Sequence, residues 1–260
     1  MCYYNKNQDQ QGFTLIEISI LLVIIGLIIG GIMVGQVLVR NARVQAVAGQ
    51  LSQYQTAINS FLIKYDALPG DIVNAYNYWG AGEGSCTNAH SDIGAGAGCN
   101  GNGDGIITYA DGTIGPTAGE SSRLWQHLAL AKMIPGSFSG TDLADVPQVK
   151  GLKDTGISMH YRTSAGINTN ILEVAAAGNG AVFPSRVLFT PAEAYKIDIK
   201  MDDGVPHKGS LYGWGGRITG GVSTDCLSGG NVYVGPETST NVSYDIAVET
   251  PECRLLARYN

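Results

Sequence analysis

Residues 100–111 carry oxygen-bearing side chains at the spacing of a twelve-residue calcium-binding loop. Asparagine or aspartate falls at positions one, three, five and twelve, Gly105 falls at position six, and position seven offers a backbone carbonyl. A ligand set made only of oxygens suits a hard cation, and a flexible loop suits Ca²⁺ better than Mg²⁺. The predicted ligands are Asn100, Asn102, Asp104, Ile106 and Asp111.

The same loop has a second interpretation, a glycine-rich turn in which Asn and Asp adopt positive φ. Asn at position one and Asp at position twelve bring less charge or reach than the usual Asp and Glu, so we expect a dissociation constant of about 10⁻⁴–10⁻³ M. A bound ion would order residues 94–119, which form a long, glycine-rich stretch. Calcium is the one cofactor that the sequence suggests.

Cysteine usage predicts two disulfide bonds. Cys2 lies in the first residues of the chain, and four cysteines lie far beyond it. An even number of cysteines beyond a membrane segment is typical of an oxidising compartment. Three pairings are possible, and proximity along the chain favours Cys86–Cys99 and Cys226–Cys253. The absence of a C-x-x-C motif argues against a metal or redox site.

Catalytic motifs are missing from the sequence. There is no G-x-S-x-G, no H-E-x-x-H and no phosphate-binding loop. The Asp202-Asp203 pair could serve in acid–base chemistry or as metal ligands, but Gly204 after it favours a turn that ends a helix. The net charge of −6 argues against general nucleic-acid binding, which needs basic patches. We therefore expect neither an enzyme nor a nucleic-acid partner. The histidines are all isolated: His90, His127, His160 and His207.

The carboxylate of Glu17 stands just before a long apolar segment. No charged residue occurs from Ile18 to Val39, and about 20 apolar residues suffice for a helix that crosses a bilayer. A carboxylate inside the end of such a helix is costly, so we expect it to be functional and to have a partner. Alternatively, the helix begins one turn early and Glu17 lies at the level of the lipid headgroups.

The residues around Glu17 resemble the processing site of type IV prepilins and type II secretion pseudopilins. The matching residues are Gly12-Phe13-Thr14-Leu15-Ile16-Glu17, followed by the apolar run. The resemblance implies that a membrane peptidase cuts after Gly12 and that Phe13 is N-methylated. It also implies that Glu17 pairs with the Phe13 amine of a neighbouring subunit during assembly. The leader is less basic than is usual in the family, because Asp9 offsets Lys6.

The resemblance and the hydrophobic pattern divide the chain into four parts. Residues 1–12 form a leader that is removed, residues 13–39 a transmembrane or filament-core helix, residues 40–66 its amphipathic continuation, and residues 67–260 an extracytoplasmic domain. Apolar residues recur at steps of three and four in the continuation, which predicts one buried face. They are Val44, Val47, Leu51, Tyr54, Ile58, Phe61, Leu62 and Tyr65.

The remaining elements predict an α+β fold like that of pilins, with the long helix packed on a mainly antiparallel sheet. One helix runs from about Thr14 to Tyr65, because no proline precedes Pro69. Glu120–Met133 has a helical period, and Thr190-Pro191-Ala192-Glu193 forms a capping box that opens a short helix. The predicted strands are Ile157–Arg162, Ile171–Ala176, Arg186–Phe189, Leu211–Tyr212, Arg217–Thr219, Val232–Val234, Tyr244–Val248 and Arg254–Arg258.

The sequence therefore predicts a structural subunit of a type IV filament, either a pilus or a type II secretion pseudopilus. Its expected partners are a prepilin peptidase and methylase, the bacterial inner membrane before assembly, and other pilin or pseudopilin subunits. The filament would lie in the periplasm or on the cell surface. The alternative is a membrane-anchored extracytoplasmic enzyme or calcium-dependent binding module that does not polymerise. The mature N-terminus distinguishes the two.

Overall fold

The computed structural model describes the chain in eight segments. They are residues 13–80, 99–108, 119–140, 145–163, 167–178, 181–218, 221–228 and 242–259. The chain divides between Ala42 and Arg43 into an N-terminal unit and a globular unit. Among these residues, one long N-terminal helix is followed by short helices and a mainly antiparallel sheet. The predicted α+β class is thus confirmed.

Helix α1 spans Leu15–Tyr65 and contains 51 residues. At 1.5 Å per residue it is about 77 Å long. It is followed by Asp66, whose φ of 54° breaks the helical path, and then by Pro69. The single long helix predicted from the absence of proline is therefore confirmed.

The part of α1 that follows Ala42 buries one face in the globular unit. Its buried residues are Val44, Val47, Ala48, Gln50, Leu51, Tyr54, Ala57, Ile58 and Phe61. The predicted stripe extends too far at its end, since Leu62 is 37% exposed and Tyr65 is only half-buried. Gln50 is buried because its amide donates to the carbonyl of Gln148 (2.8 Å) and accepts the N–H of Lys150 (3.0 Å).

Three shorter helices complete the helical part of the described chain. They are α2 (Ala75–Trp79), α3 (Glu120–Leu130) and α4 (Pro191–Met201). Helix α3 ends three residues before the predicted Met133. Helix α4 opens with the predicted capping box: Glu193 N–H donates to Thr190 Oγ1 (3.2 Å), and Thr190 N–H donates to the Glu193 carboxylate (3.1 Å). Arg43 lies 3.8 Å from the same carboxylate.

The nine strands found in the described part of the chain form a seven-stranded sheet and a separate pair. The strands are β1 (Thr155–Arg162), β2 (Thr169–Gly178), β3 (Ala181–Arg186), β4 (Leu211–Gly215), β5 (Arg217–Ile218), β6 (Gly221–Val222), β7 (Leu227–Ser228), β8 (Ser243–Tyr244) and β9 (Cys253–Tyr259). The larger sheet has the order β4-β9-β2-β3-β5-β6, and β1 also pairs with β2. All pairs are antiparallel except β3 with β5.

Strand β9 lies inside the sheet although it is the last strand along the described chain. It pairs with β2 on one side and with β4 on the other. Leu255 and Ala257 face the core that α1 also enters, and the Tyr259 hydroxyl donates to Asn59 Oδ1 of α1 (2.8 Å).

Some predicted strands are wrong or lie outside the described residues. Arg186–Phe189 is not a strand: β3 ends at Arg186, and Phe189 makes only an isolated bridge to Cys253. Of the predicted strand Tyr244–Val248, only Tyr244 lies in a strand, β8. Asp245 begins a turn in which its carbonyl accepts the Val248 N–H. Val232–Val234 lies outside the described residues. Alternating apolar residues in these short runs do not separate a strand from a buried turn.

Candidate functional site

The N-terminal end of α1 is closed by a capping box made from the predicted assembly residue. The Thr14 N–H and hydroxyl both donate to Glu17 Oε2 at 2.8 Å, and the Glu17 N–H lies 3.4 Å from Thr14 Oγ1. These bonds satisfy donors that the first turn of a helix otherwise leaves unpaired. Gly12, the predicted cleavage residue, lies outside the described residues, and Phe13 is 79% exposed.

The apolar half of α1 has no cover among the described residues. Every residue from Phe13 to Arg40 is exposed except Gly35, which is half-exposed. Among the described residues, α1 alone is long and apolar enough to cross a membrane, and its most apolar 18-residue window has a mean hydropathy of 2.8. Such an apolar surface is unstable in water, so it needs lipid or other apolar helices around it.

In the globular unit, the turn after α1 is tied to α3 by a buried histidine. The Gly70 N–H donates to His127 Nδ1 (2.8 Å), so the ring proton lies on Nε2, which donates to the Cys99 carbonyl (2.8 Å). Burial lowers the pKa of His127 to about 3, and the ring stays neutral. Gly70 has a φ of 93°, and a Cβ there would lie 2.4 Å from the Glu120 carbonyl oxygen. The ring thus joins the 68–72 turn to the 99–108 loop.

Asp71 anchors the same loop through both of its carboxylate oxygens. Oδ1 accepts the Gly103 N–H at 2.6 Å, and Oδ2 accepts the Gly105 N–H at 2.8 Å. Both glycines have positive φ, 78° and 79°, which L residues with a Cβ rarely adopt. The loop therefore directs two backbone N–H groups towards the buried carboxylate of Asp71.

Glu120, the first residue of α3, holds the loop from the other side. Its carboxylate accepts the Asn102 N–H (3.0 Å), the Thr108 N–H (2.9 Å) and the Thr108 hydroxyl (2.8 Å). Asn170 of β2 fixes the end of the loop by accepting the Ile107 N–H and donating to the Gly105 carbonyl, both at 2.9 Å. The loop is thus attached to α3 and to the sheet.

Asp71, Asp104 and Glu120 bring carboxylate oxygens within 4.8 Å of one another. Asp71 and Glu120 are buried, whereas Asp104 is exposed. Burial raises the pKa of Asp71, and the charge of Asp104 raises it further. Burial also raises the pKa of Glu120, with a smaller contribution from the charge of Asp71. The loop N–H groups oppose both shifts by stabilising the ionised forms.

The predicted calcium ligands are only partly brought together. Asp104 joins the carboxylate cluster, whereas Asn100 Oδ1 accepts the Tyr76 N–H (2.9 Å) and Asn102 Oδ1 accepts the Asp104 N–H (3.0 Å). The Ile106 N–H donates to Asp104 Oδ1 at 2.8 Å. Asp111 lies outside the described residues. The five-residue calcium site stays a prediction.

Sequence reasoning did not identify Asp71, Glu120, His127 and Asn170 as residues that hold this loop. The sequence predicts Glu120 only as the start of a helix, which is correct but incomplete. The burial of these four residues depends on contacts between segments far apart along the chain. An acidic residue directly after a Pro-Gly turn was the one local sign that an anion would be needed there.

One predicted disulfide is confirmed. Cys226 and Cys253 are bonded, with Cα atoms 5.0 Å apart, and the bond joins the segment before β7 to β9. Cys99 is also disulfide-bonded. Cys86 lies outside the described residues, so the pairing Cys86–Cys99 stays a prediction.

Two further titratable groups are buried away from the loop. Asp198 of α4 accepts the Tyr244 hydroxyl (2.8 Å), and burial raises its pKa to about 6. His160 lies 3.6 Å from Glu173, which also pairs with Arg254, and burial lowers the pKa of His160 to about 4. Asp202 accepts the Leu211 N–H at 3.0 Å directly after α4, consistent with a helix-ending turn.

The N-terminal residues match a known family model. Residues 7–33 match the prokaryotic N-terminal methylation motif. The chain carries the type IV prepilin signature. This signature supports a type IV pilin-like precursor, and it implies peptidase processing and subunit assembly in general terms. The apolar helix and the prepilin signature are both consistent with membrane anchoring. Comparison with curated proteins and with solved structures gave no match.

Proposed function

We propose that this protein is a structural subunit of a type IV filament, a pilus or a type II secretion pseudopilus. It is made as a prepilin, cut after Gly12, methylated at Phe13 and polymerised. The observation that carries the proposal is the exposed apolar half of α1, most of which lies within the prepilin signature at residues 7–33. Polymerisation would bury this surface against the same surface of other subunits.

The first experiment determines the mature N-terminus. Mass spectrometry of the protein purified from a host with a prepilin peptidase should detect a chain that begins with N-methyl-Phe13. Gly12→Val is the control, because a side chain at the cleavage position should leave the leader attached. A wild-type chain that begins at Met1, or that is cut beyond Val39, would contradict the proposal and favour a monomeric anchored protein.

The second experiment separates the charge of Glu17 from its capping role. Glu17→Gln keeps a side-chain acceptor for Thr14 but removes the charge, whereas Thr14→Ala removes the two hydroxyl bonds of the cap and keeps both the charge and the backbone N–H donor of residue 14. If an ammonium of a neighbouring subunit pairs with Glu17, Glu17→Gln should reduce filament incorporation by about tenfold or more, because a partner charge is left unpaired in an apolar environment. Thr14→Ala should reduce it less. The reverse order would overturn the pairing.

We also propose that the globular unit binds Ca²⁺ at the 100–111 loop. The observation that favours it is the position of Asp104, a predicted ligand, beside Asp71 and Glu120. Carboxylate oxygens are the ligands that Ca²⁺ prefers, and the ion would offset the repulsion between these charges. Asp71 and Glu120 would join the five predicted ligands.

Thermal unfolding of the full chain in detergent micelles tests this proposal. At ten times its dissociation constant, an ion that binds only the folded state stabilises it by about 1.4 kcal/mol. We expect millimolar Ca²⁺ to raise the unfolding midpoint relative to chelator, and Mg²⁺ to raise it less. Asp104→Ala should abolish the increase, whereas Asp225→Ala, at another exposed aspartate, should preserve it. An unchanged wild-type midpoint would eliminate the site.

A further inference from the structure

We propose that Asn102 is a deamidation site whose reaction is slowed by the folded loop, and that Asp71 is the residue that slows it. Asn102 and Gly103 are both exposed and adjacent. The loop contains a second Asn-Gly pair, Asn100-Gly101, and an Asp-Gly pair, Asp104-Gly105. Glycine makes such pairs reactive because it has no side chain to obstruct ring closure.

Deamidation at Asn102 would consume only water. The Gly103 nitrogen attacks Asn102 Cγ, the N–Cγ bond forms and the Cγ–Nδ2 bond breaks. Ammonia leaves with the proton of the Gly103 N–H. Water then opens the imide ring to aspartate or isoaspartate, and the chain gains about 1 Da. At Asp104-Gly105 the same ring closure expels water, and reopening gives aspartate or isoaspartate without a change of mass.

The hydrogen bonds of the loop restrain both reacting groups, the Gly103 nitrogen and the Asn102 amide. The attacking nitrogen, Gly103 N, is engaged with Asp71 Oδ1 at 2.6 Å in a charge-assisted bond. The Asn102 amide is fixed at both ends, since Oδ1 accepts the Asp104 N–H (3.0 Å) and Nδ2 donates to Asp104 Oδ2 (2.9 Å). The other Asp71 oxygen holds Gly105 N, the nucleophile of the Asp-Gly pair. One carboxylate therefore restrains two nucleophiles.

The other Asn-Gly pair is held without Asp71 side-chain bonds. Gly101 N donates to the Ile72 carbonyl at 2.8 Å, and Asn100 Oδ1 accepts the Tyr76 N–H at 2.9 Å. Gly101 is buried and Asn100 is half-buried. The two pairs share one loop but differ in their restraints, so Asn100 serves as an internal control.

Deamidation would change the loop because of where the new charge appears. It removes the Asn102 donor to Asp104 Oδ2 and places a carboxylate next to that oxygen. Asp71, Asp104 and Glu120 already lie together, so a fourth carboxylate adds repulsion. The modified loop should open more easily.

Peptide mapping by mass spectrometry tests the proposal. The full chain in detergent micelles is incubated near neutral pH, folded and in denaturant, and the 1 Da gain is followed at Asn102 and Asn100 together with isoaspartate at position 104. In the folded wild type, Asn102 should react at least about tenfold more slowly than in the denatured chain, because reaction requires local opening. Comparable rates in the two states would overturn the proposal.

Two variants test which contact slows the deamidation of Asn102. Asp71→Ala should accelerate Asn102 by about tenfold and leave Asn100 slow. Asp104→Ala, at an exposed position, removes the acceptor of Asn102 Nδ2 and of the Ile106 N–H but keeps the backbone N–H that binds Asn102 Oδ1, so it should accelerate Asn102 less. Asp225→Ala should change nothing. Equal acceleration of Asn100 and Asn102 in Asp71→Ala would overturn the assignment, because the loop would then have opened as a whole. A larger effect of Asp104→Ala would overturn it as well, because the side chain and not Gly103 N would then be the restraint.

Discussion

Glu17 and Glu120 both lie in the first turn of a helix, but their surroundings are opposite. Glu17 is exposed and its described hydrogen bonds come only from Thr14, three residues away. Glu120 is 4% exposed and accepts three hydrogen bonds from the 99–108 loop. Glu17 thus remains accessible to a partner, whereas Glu120 is bonded within its own chain.

This contrast extends to the two units. In the N-terminal unit the apolar surface of α1 is uncovered, whereas in the globular unit α1 buries one apolar face and backbone N–H groups of the 99–108 loop have acceptors. A unit with an uncovered apolar surface must be completed by lipid or by another molecule. In the proposed filament, the globular unit would therefore supply a stable body and the N-terminal unit the site of assembly.

The largest expected effect compares two isoleucines of α1. Ile58 is 0% exposed and Ile25 is 50% exposed. Ile58→Ala should lower the free energy of unfolding by about 4 kcal/mol, because it opens a cavity in the core. Ile25→Ala should change it by less than about 0.5 kcal/mol. Circular dichroism of the full chain in detergent micelles during heating measures both, and similar losses would break the distinction between the units.

The disulfide should have the next largest effect, confined to the globular unit. Cys226 and Cys253 are separated by 27 residues. On the chain-entropy model, replacing both with serine should cost about 3.5 kcal/mol. The control is Cys2→Ser, which removes a cysteine that precedes Phe13 and should leave the unfolding midpoint unchanged. A loss below about 1 kcal/mol in the double variant would mean that β9 is held mainly by its strand pairing.

The pH dependence of stability should come in part from Asp198. Its folded pKa of about 6 exceeds the ordinary value of 3.8 because of burial. The folded state therefore binds the proton more tightly, so this stabilisation is complete below pH 3.8 and is lost as the pH rises through about 6. The complete loss should be about 3 kcal/mol.

Asp198→Asn provides the control for this dependence, because it has no charge to bury. Unfolding midpoints measured from pH 4 to pH 7 should fall less steeply for the variant than for the wild type. Parallel curves would assign the pH dependence to other groups, first to Asp71 and Glu120, whose pKa values burial also raises.

The smallest effect should come from the ion pair between Arg43 and Glu193. The charged atoms are 3.8 Å apart and the Arg43 side chain is 38% exposed, so solvent screens the attraction. Arg43→Gln should cost about 0.3 kcal/mol, and less at high salt. Glu193→Gln should cost equally little, since glutamine still accepts the Thr190 N–H in the capping box. A loss above about 1 kcal/mol would show that this pair matters to how α1 is held.

What the sequence predicts well is local. The long helix follows from a 3.6-residue period without proline, and the α4 capping box follows from four adjacent residues. The T-x-x-E spacing of Thr14 and Glu17 is the same capping-box pattern, and the structure contains the box there as well. The α1 stripe failed only near Leu62 and Tyr65, where the helix leaves the core.

What the sequence does not predict depends on distant contacts. The calcium-loop spacing places Gly105 at position six, and this glycine has a positive φ, but the spacing cannot indicate that Asp71 accepts the Gly105 N–H. The burial of Glu120 likewise depends on where the loop crosses α3. Arg186–Phe189 has a suitable composition for a strand, yet β3 ends where that run begins. Composition alone does not show which neighbouring backbone is available for pairing.

The position of β9 between β2 and β4 has a consequence for biogenesis. Neither neighbouring strand can complete its ladder of backbone bonds until residues 253–259 are available. During synthesis from the N-terminus, the globular unit must therefore wait for this last strand and then close in one late step. A nascent chain that stops short of Cys253 would expose the edges of β2 and β4, and it should be degraded before it could take part in assembly.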